Sequence, residues 1–325
     1  MKASATHNHP AWAERHLPQV ERHARHPTKT NAILQGSLWA ALTVIVWSAW
    51  PAFTRLAVTE SVMPADIVLL RYGIGGLILL PVLLKLTRDL PRRAWWEGLW
   101  FALLQGAPLA MLTTQGLALA PAGHLTLSTG LMPLFTSILC FYFLGEVIAR
   151  QRKFGLALIT LGALAIGGVS LTSIHPDYWK GDILFVCAGL MGSIYLLRMR
   201  RSGLSALQGA ALLSVYSMVI YFPVFVWFFW ESSKLTQIPT TDLLFQGFYQ
   251  GVLMGALTMF SLGRSTMLLG APATAMSLAL LPVASFLLAF MILHEVPAIF
   301  EILGAIAISL GAFLSALAAR EKKPG

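Results

Sequence analysis

The last third of the chain repeats its middle third at a constant offset of 149 residues, without a gap. Pro133 falls on Pro282 and Glu146 on Glu295, while Gly155 and Gly162 fall on Gly304 and Gly311. The runs that carry them are apolar, LMPLFTSILCFYFLGE against LLPVASFLLAFMILHE. A weaker echo at an offset of 145 pairs Gly36, Ser48 and Arg55 with Gly181, Ser193 and Arg200. A hydrophobic unit used twice in one chain is the pattern of a membrane carrier built from internal repeats, with its binding site where the repeats meet.

Composition agrees. Of 325 residues, 57% are hydrophobic and 11% charged, against about 25% charged in soluble domains. The expected class is therefore an all-α integral membrane protein. Its net charge of +9 is then explained by basic loops on the cytoplasmic side rather than by nucleic acid. Cys140 and Cys187 lie in separate apolar runs and read as small core residues. The polar N-terminal stretch holds His7, His9, His16, His23 and His26 but no apolar segment with a cleavage site. It reads as a disordered cytoplasmic tail rather than a signal peptide, and its single HxH pair is a weak metal signal.

A helix needs about 20 apolar residues to cross the hydrocarbon core. Ten stretches qualify: 34–56, 66–86, 98–118, 122–143, 153–172, 181–197, 207–229, 246–264, 272–293 and 298–318. This divides the chain into a tail over 1–33, a first five-helix repeat over 34–172, a second over 181–318, and a tail over 319–325. An odd number of spans per copy inserts the second upside down, so the fold expected is ten transmembrane helices in two inverted repeats. With both termini in the cytoplasm, nineteen Lys and Arg residues fall on that side and three (Arg55, Lys180, Lys234) on the other.

The residues also resemble a known family. Trp47-Ser48, Leu70-Arg71-Tyr72, GLALAPAG (116–123), Pro133, Gly145-Glu146 and FGLALITLGALAIGG (154–168) occur in the order seen in the EamA-type branch of the drug/metabolite transporter superfamily. Pro282, Glu295 and LGAIAISLGA (303–312) repeat the pattern, and His294-Glu295 stands where Gly-Glu is commoner. The resemblance covers about 34–318. It implies a ten-helix inner-membrane transporter, commonly an exporter of small metabolites such as amino acids, and leaves the metabolite open.

Candidate site residues follow from polarity within the spans. Arg71 is the one basic side chain that cannot leave its span without snorkelling. Such a charge needs a partner or a wet cavity, so it binds a substrate anion or sits in a structural ion pair, with Asp66 one possible partner. Trp47, Ser48 and Trp50 in the first span are matched by Ser193 and Tyr195 in the sixth. Gln105 and Thr114 polarise the third span, Ser128 the fourth and Ser277 the ninth. A hydroxyl in a span can equally bond its own helix, whereas an unpaired buried amide is costly. Pro133 and Pro282 interrupt corresponding spans and are hinge candidates. Glu146 and Glu295 end corresponding spans and either cap the next helix or act in gating.

All fourteen acidic residues can be placed in tails, loops or near span ends, as can His124, His175 and His294. That distribution favours facilitated diffusion or exchange over proton antiport. No metal or cofactor is called for. The partners expected are a small-molecule substrate and the lipid bilayer, with a monomer as the working expectation. A non-enzyme is favoured, because spaced His/Glu ligands or a paired Asp motif are not apparent. The alternatives are an integral-membrane enzyme and a non-transporting membrane subunit.

Overall fold

The computed structural model describes residues 29–60, 62–86, 90–172 and 174–321. The histidine-bearing stretch 1–28, Arg88, Asp89, Lys322 and Lys323 lie outside the described residues. The chain is all-helical there: α1 (Lys29–Glu60), α2 (Pro64–Leu86), α3 (Arg92–Gln105), α4 (Ala107–Leu119), α5 (Thr126–Leu144), α6 (Arg150–Thr172) and α7 (Tyr178–Ser202). There follow α8 (Ala206–Phe228), α9 (Thr240–Gln246), α10 (Thr258–Leu269), α11 (Ala271–Leu278), α12 (Leu281–Leu293) and α13 (Ile299–Glu321). A 3₁₀ turn (Ala122–Leu125) leads into α5, and a π-helical stretch (Gly247–Leu257) joins α9 to α10.

Among the described residues, nine continuous helical stretches are long and apolar enough to span a membrane. The missing tenth is the expected span over 98–118, which breaks at Gly106 into helices of 14 and 13 residues. The break has a local cause. Pro108 supplies no amide hydrogen and suits the first turn of a new helix, while Gly106 lets Ser217 and the Ala102 carbonyl approach where a Cβ would collide. Adding 149 carries Gly106 onto Gly255, inside the π-helical stretch. Both copies thus depart from α geometry at the same place.

Helix pairing is unchanged when the two copies are exchanged. α1 packs on α10 and α12, and α7 packs on α4 and α5. α2 meets the π stretch as α8 meets α3, while α2–α8 and α6–α13 are pairs of mates. The last pair shows why glycine recurs. A Cβ on Gly155 would lie 2.6 Å from the Gly311 carbonyl oxygen, and one on Gly162 2.5 Å from that of Gly304. The contact is antiparallel, and each glycine touches the mate of its neighbour. Small residues at these steps let the two backbones meet, since lipid-solvated helices associate through close packing rather than hydrophobic burial.

The mates Gly145 and His294 end α5 and α12 in the same left-handed conformation, φ 65° and 56°. That conformation aims the following glutamate, Glu146 or Glu295, back across the bundle. His294, the departure from Gly-Glu noted in the sequence, therefore adopts the backbone shape that glycine adopts with less strain.

Candidate functional site

One set of interior polar groups runs from α1 to the broken span. Trp50 donates its indole N–H to Gln250 Oε1 at 2.9 Å, and Gln250 donates to Thr54 Oγ1 at 2.9 Å and Gln246 Oε1 at 3.3 Å. This buried chain stitches α1 to the π stretch. The Arg71 guanidinium lies over the Trp50 ring, 4.9 Å from its centroid, and 6.0 Å from that of Tyr72. Tyr72 donates to the carbonyl of Gln105 at 3.0 Å, the last residue before the break. The Gln105 side-chain oxygen is buried with no hydrogen-bond partner, on the side facing Gly192 of α7. Tyr195, one turn further along α7, stacks edge-on against Phe101 at 5.2 Å. Contacts thus run from Trp50 through Arg71 and Tyr72 to the Gln105 carbonyl, and α3 packs on α7, where Tyr195 lies. The Arg71 cation offers a partner to an anionic group, and the unpaired Gln105 oxygen one to a hydrogen-bond donor.

The sequence-derived candidates divide. Trp50 and Arg71 meet directly, Tyr72 joins Arg71 to the Gln105 carbonyl, and Tyr195 packs on Phe101. Trp47 packs, partly buried, against the main apolar core. Thr114, Ser193 and Ser277 spend their hydroxyls on carbonyls of their own helices, Ala110 at 2.7 Å, Gly189 at 2.8 Å and Ala273 at 3.2 Å. Ser48 is buried with an unpaired hydroxyl, and Ser128, also buried, lays its backbone carbonyl against Gly189. Asp66 is occupied elsewhere, accepting from Ser233 Oγ at 2.7 Å and from the Lys234 amide at 3.3 Å, and is not the partner of Arg71. Pro133 sits inside an unbroken α5, whereas Pro282 opens α12 after the chain leaves α11 at Leu278. Residue 278 is four before Pro282, where a continuing helix would put its carbonyl into the proline ring.

Glu146 and Glu295 meet arginines rather than the helix that follows. Arg55 Nε bonds Glu295, and its Nη1 donates to the carbonyls of Leu117 at 2.7 Å and Ala120 at 2.5 Å. Glu295 also accepts from the Ala122 amide at 2.9 Å. Arg200 Nη2 bonds Glu146 at 2.7 Å. Arg55 and Arg200 are mates, as are Glu295 and Glu146, so each pair ties one copy to the other. They sit at opposite ends of the bundle and differ in closure. The side chains of Arg55 and Glu295 are 15% and 25% exposed, those of Arg200 and Glu146 61% and 39%.

Beside the Arg55 pair lies a group that sequence reasoning did not assemble. His124, fully buried in the 3₁₀ turn, places Nδ1 2.8 Å from Asp182 Oδ1 and Nε2 2.5 Å from Glu301 Oε1. Ser170 donates to Asp182 Oδ2 at 2.5 Å. All three ionisable residues sit within a few residues of a span end, as expected. Nothing in the sequence, however, signals that these ends are tucked beneath their neighbours.

Comparisons with known proteins fit this architecture. Residues 34–168 match the sequence model of the EamA-like transporter family. Among solved structures, one titled only as the crystal structure of a protein shares the fold with a TM-score of 0.59 at 18% identity, covering 89% of this chain and 99% of its own. No curated protein matches. The chain is a multi-pass membrane protein, all-helical over its described residues, and its residues 34–168 match the EamA-like transporter family.

Proposed function

We propose that the protein is an inner-membrane exporter of small organic metabolites, amino acids first among them, working by alternating access between two inverted five-helix repeats. α3 and α4 together make the tenth crossing, and both termini face the cytoplasm, where nineteen of the basic residues then lie. The Arg55–Glu295 end faces outward and the Arg200–Glu146 end inward. Support for a transporter comes from the family match over the first copy. The observation that carries alternating access is the twinned but unequal pair of cross-repeat ion bridges, one closed over by carbonyl oxygens and one open to solvent. A bundle that rocks between two states would exchange their roles.

Substrate selection falls to the Arg71–Trp50–Gln105 region. The assignment puts an amino acid's carboxylate on Arg71 and its ammonium on Gln105 Oε1. The test is flux in proteoliposomes with labelled aromatic, aliphatic and sulfur-containing amino acids, with and without a pH gradient. Saturable flux of one group, lost on Arg71→Gln, is the expected result. Absence of flux for the whole panel would reject the amino-acid assignment, and the same absence across sugars, nucleobases and cationic drugs would reject transport.

A further inference from the structure

We propose that His124, Asp182 and Glu301 form a proton-binding site whose occupancy holds the Arg55 end of the bundle shut. The inference rests on the reading of this protein as a transporter that opens alternately at its two ends.

The hydrogen count carries the argument. A neutral imidazole has one N–H and one lone pair, and an ionised carboxylate only accepts. Both ring nitrogens of His124 lie within hydrogen-bond distance of carboxylate oxygens, 2.8 Å to Asp182 and 2.5 Å to Glu301. With a neutral ring and two carboxylates, one contact would set lone pair against lone pair in a buried site. The observed arrangement therefore contains one more proton, either as imidazolium or as one carboxylic acid. Ser170 cannot supply it: its one hydrogen goes to Asp182 Oδ2 at 2.5 Å or to His124 Nδ1 at 3.3 Å, and neither choice places a hydrogen between a ring nitrogen and the carboxylate oxygen it faces. The two carboxylates lie on opposite sides of the ring and do not converge on a point a metal ion could fill, and among the described residues no such group is found.

Three further observations make this a site rather than a structural clamp. First, it joins four spans, through the turn before α5 and residues of α6, α7 and α13. Loss of the proton would break a contact between elements that must separate if this end opens. Second, a cavity of about 240 Å³ reaches it, lined by Gly123, Tyr178, Phe286, Ala289, Glu295 and Glu301. Water there can receive the proton. Third, the cluster has no counterpart in the other copy. The Arg–Glu bridges and the packing glycines are duplicated, but the mates of His124, Asp182 and Glu301 are Ala273, Ser37 and Arg152. A buried charged group that breaks the internal symmetry is not explained by the architecture the copies share.

The surrounding charges are accounted for. Arg55 is taken up by Glu295 and two carbonyls. Tyr178 stands edge-on to the His124 ring at 6.1 Å, with His175 stacked on it at 4.8 Å. Lys180 pairs with Asp177 at 2.6 Å. α4 and α11 contribute no ionisable side chain. In the step proposed, one proton leaves the cluster for cavity water, the ring becomes neutral, both carboxylates remain anionic, and one nitrogen–oxygen contact is lost.

The test reads opening directly and needs no substrate. In full-length protein with Cys140→Ser and Cys187→Ser, Ala289→Cys places a thiol on the buried cavity wall. Its rate of reaction with a membrane-impermeant maleimide is measured in proteoliposomes at external pH 6 and 9. Each rate is divided by that of Ser232→Cys, an exposed position at the same end, to remove the chemistry of the thiol itself. The normalised rate should rise at least tenfold at the higher pH. Glu301→Gln, whose amide supplies the N–H permanently, should label slowly at both pH values, and Asp182→Asn should do the same by the other nitrogen. A wild-type ratio within twofold, or a wild-type ratio retained by either amide variant that folds, would overturn the proposal. Labelling that follows pH in a protein that moves no solute would leave the proton site standing and remove the transport reading. Solute flux with pH-independent labelling would do the reverse.

Discussion

The twinned ion bridges make a quantitative prediction, because the same two side chains occur twice in different surroundings. Arg55 bonds Glu295 and two backbone carbonyls, and Glu295 holds the Ala122 amide as well. Arg55→Ala therefore leaves a largely covered carboxylate and two carbonyls short of a donor. Breaking a buried pair from one side costs about 3–5 kcal/mol, and the residual exposure of Arg55 and Glu295 argues for the lower figure. Arg200→Ala removes a bridge between exposed side chains, for which about 0.5 kcal/mol is the ordinary cost. At 1.36 kcal/mol per tenfold, about 3 kcal/mol displaces the closed state of the Arg55 end by roughly 150-fold, against about twofold for Arg200. The assay is a pair of double-mutant cycles, Arg55→Ala with Glu295→Ala and Arg200→Ala with Glu146→Ala, read by reversible unfolding in mixed micelles. Coupling within the first pair should exceed that within the second several-fold. Equal coupling energies, or a larger value for Arg200–Glu146, would refute the claim that burial and backbone acceptors set the strength of these bridges.

Packing of α6 on α13 depends on backbones that touch, so Gly162→Leu should abolish the folded, monodisperse protein in detergent, while Gly168→Leu, with open space around it, should leave its elution unchanged. His294→Gly relieves a left-handed non-glycine residue and should stabilise the protein by about 1 kcal/mol, seen as a higher unfolding midpoint with transport intact. Trp50→Phe keeps the aromatic face beneath Arg71 but deletes the N–H bonded to Gln250. Leaving that amide short of a donor costs about 1–3 kcal/mol, so stability should fall while half-saturation for an anionic substrate changes little. The opposite split would show that Trp50 acts on substrate through its indole nitrogen. Pro282→Ala allows α11 to run on into α12 and should lower turnover more than affinity in the flux assay; a pure affinity loss would reject the hinge.

Much of this molecule was legible in its residues because the property concerned is local. An apolar run of about 20 residues is a span wherever it lies. A second copy at a fixed offset announces a pseudo-symmetric pairing before any contact is known. The repeat sets the glycines at 155, 162, 304 and 311 at matching positions, and the structure brings those four against facing backbone, while Gly73, Gly167 and Gly168 face open space. The broken third span was less legible: its hydropathy is continuous over 98–118, and only the Gly106–Pro108 spacing hints that the helix restarts there.

What only the tertiary structure decided is where charge goes when it is neither in a loop nor in mid-membrane. Arg55 and Glu295 are 240 positions apart, His124 and Glu301 177, and each looks in sequence like an ordinary residue near the end of a span. Position along a helix is set by the chain itself. Whether that end stands in solvent or under three neighbouring helices is set by how the copies pack. Arg55 and Arg200 occupy the same place in their repeats, and packing alone covers one and leaves the other exposed. Repetition in the sequence determined the frame of this protein. The departures from that repetition, which only assembly turns into neighbours, determined where its polar chemistry lies.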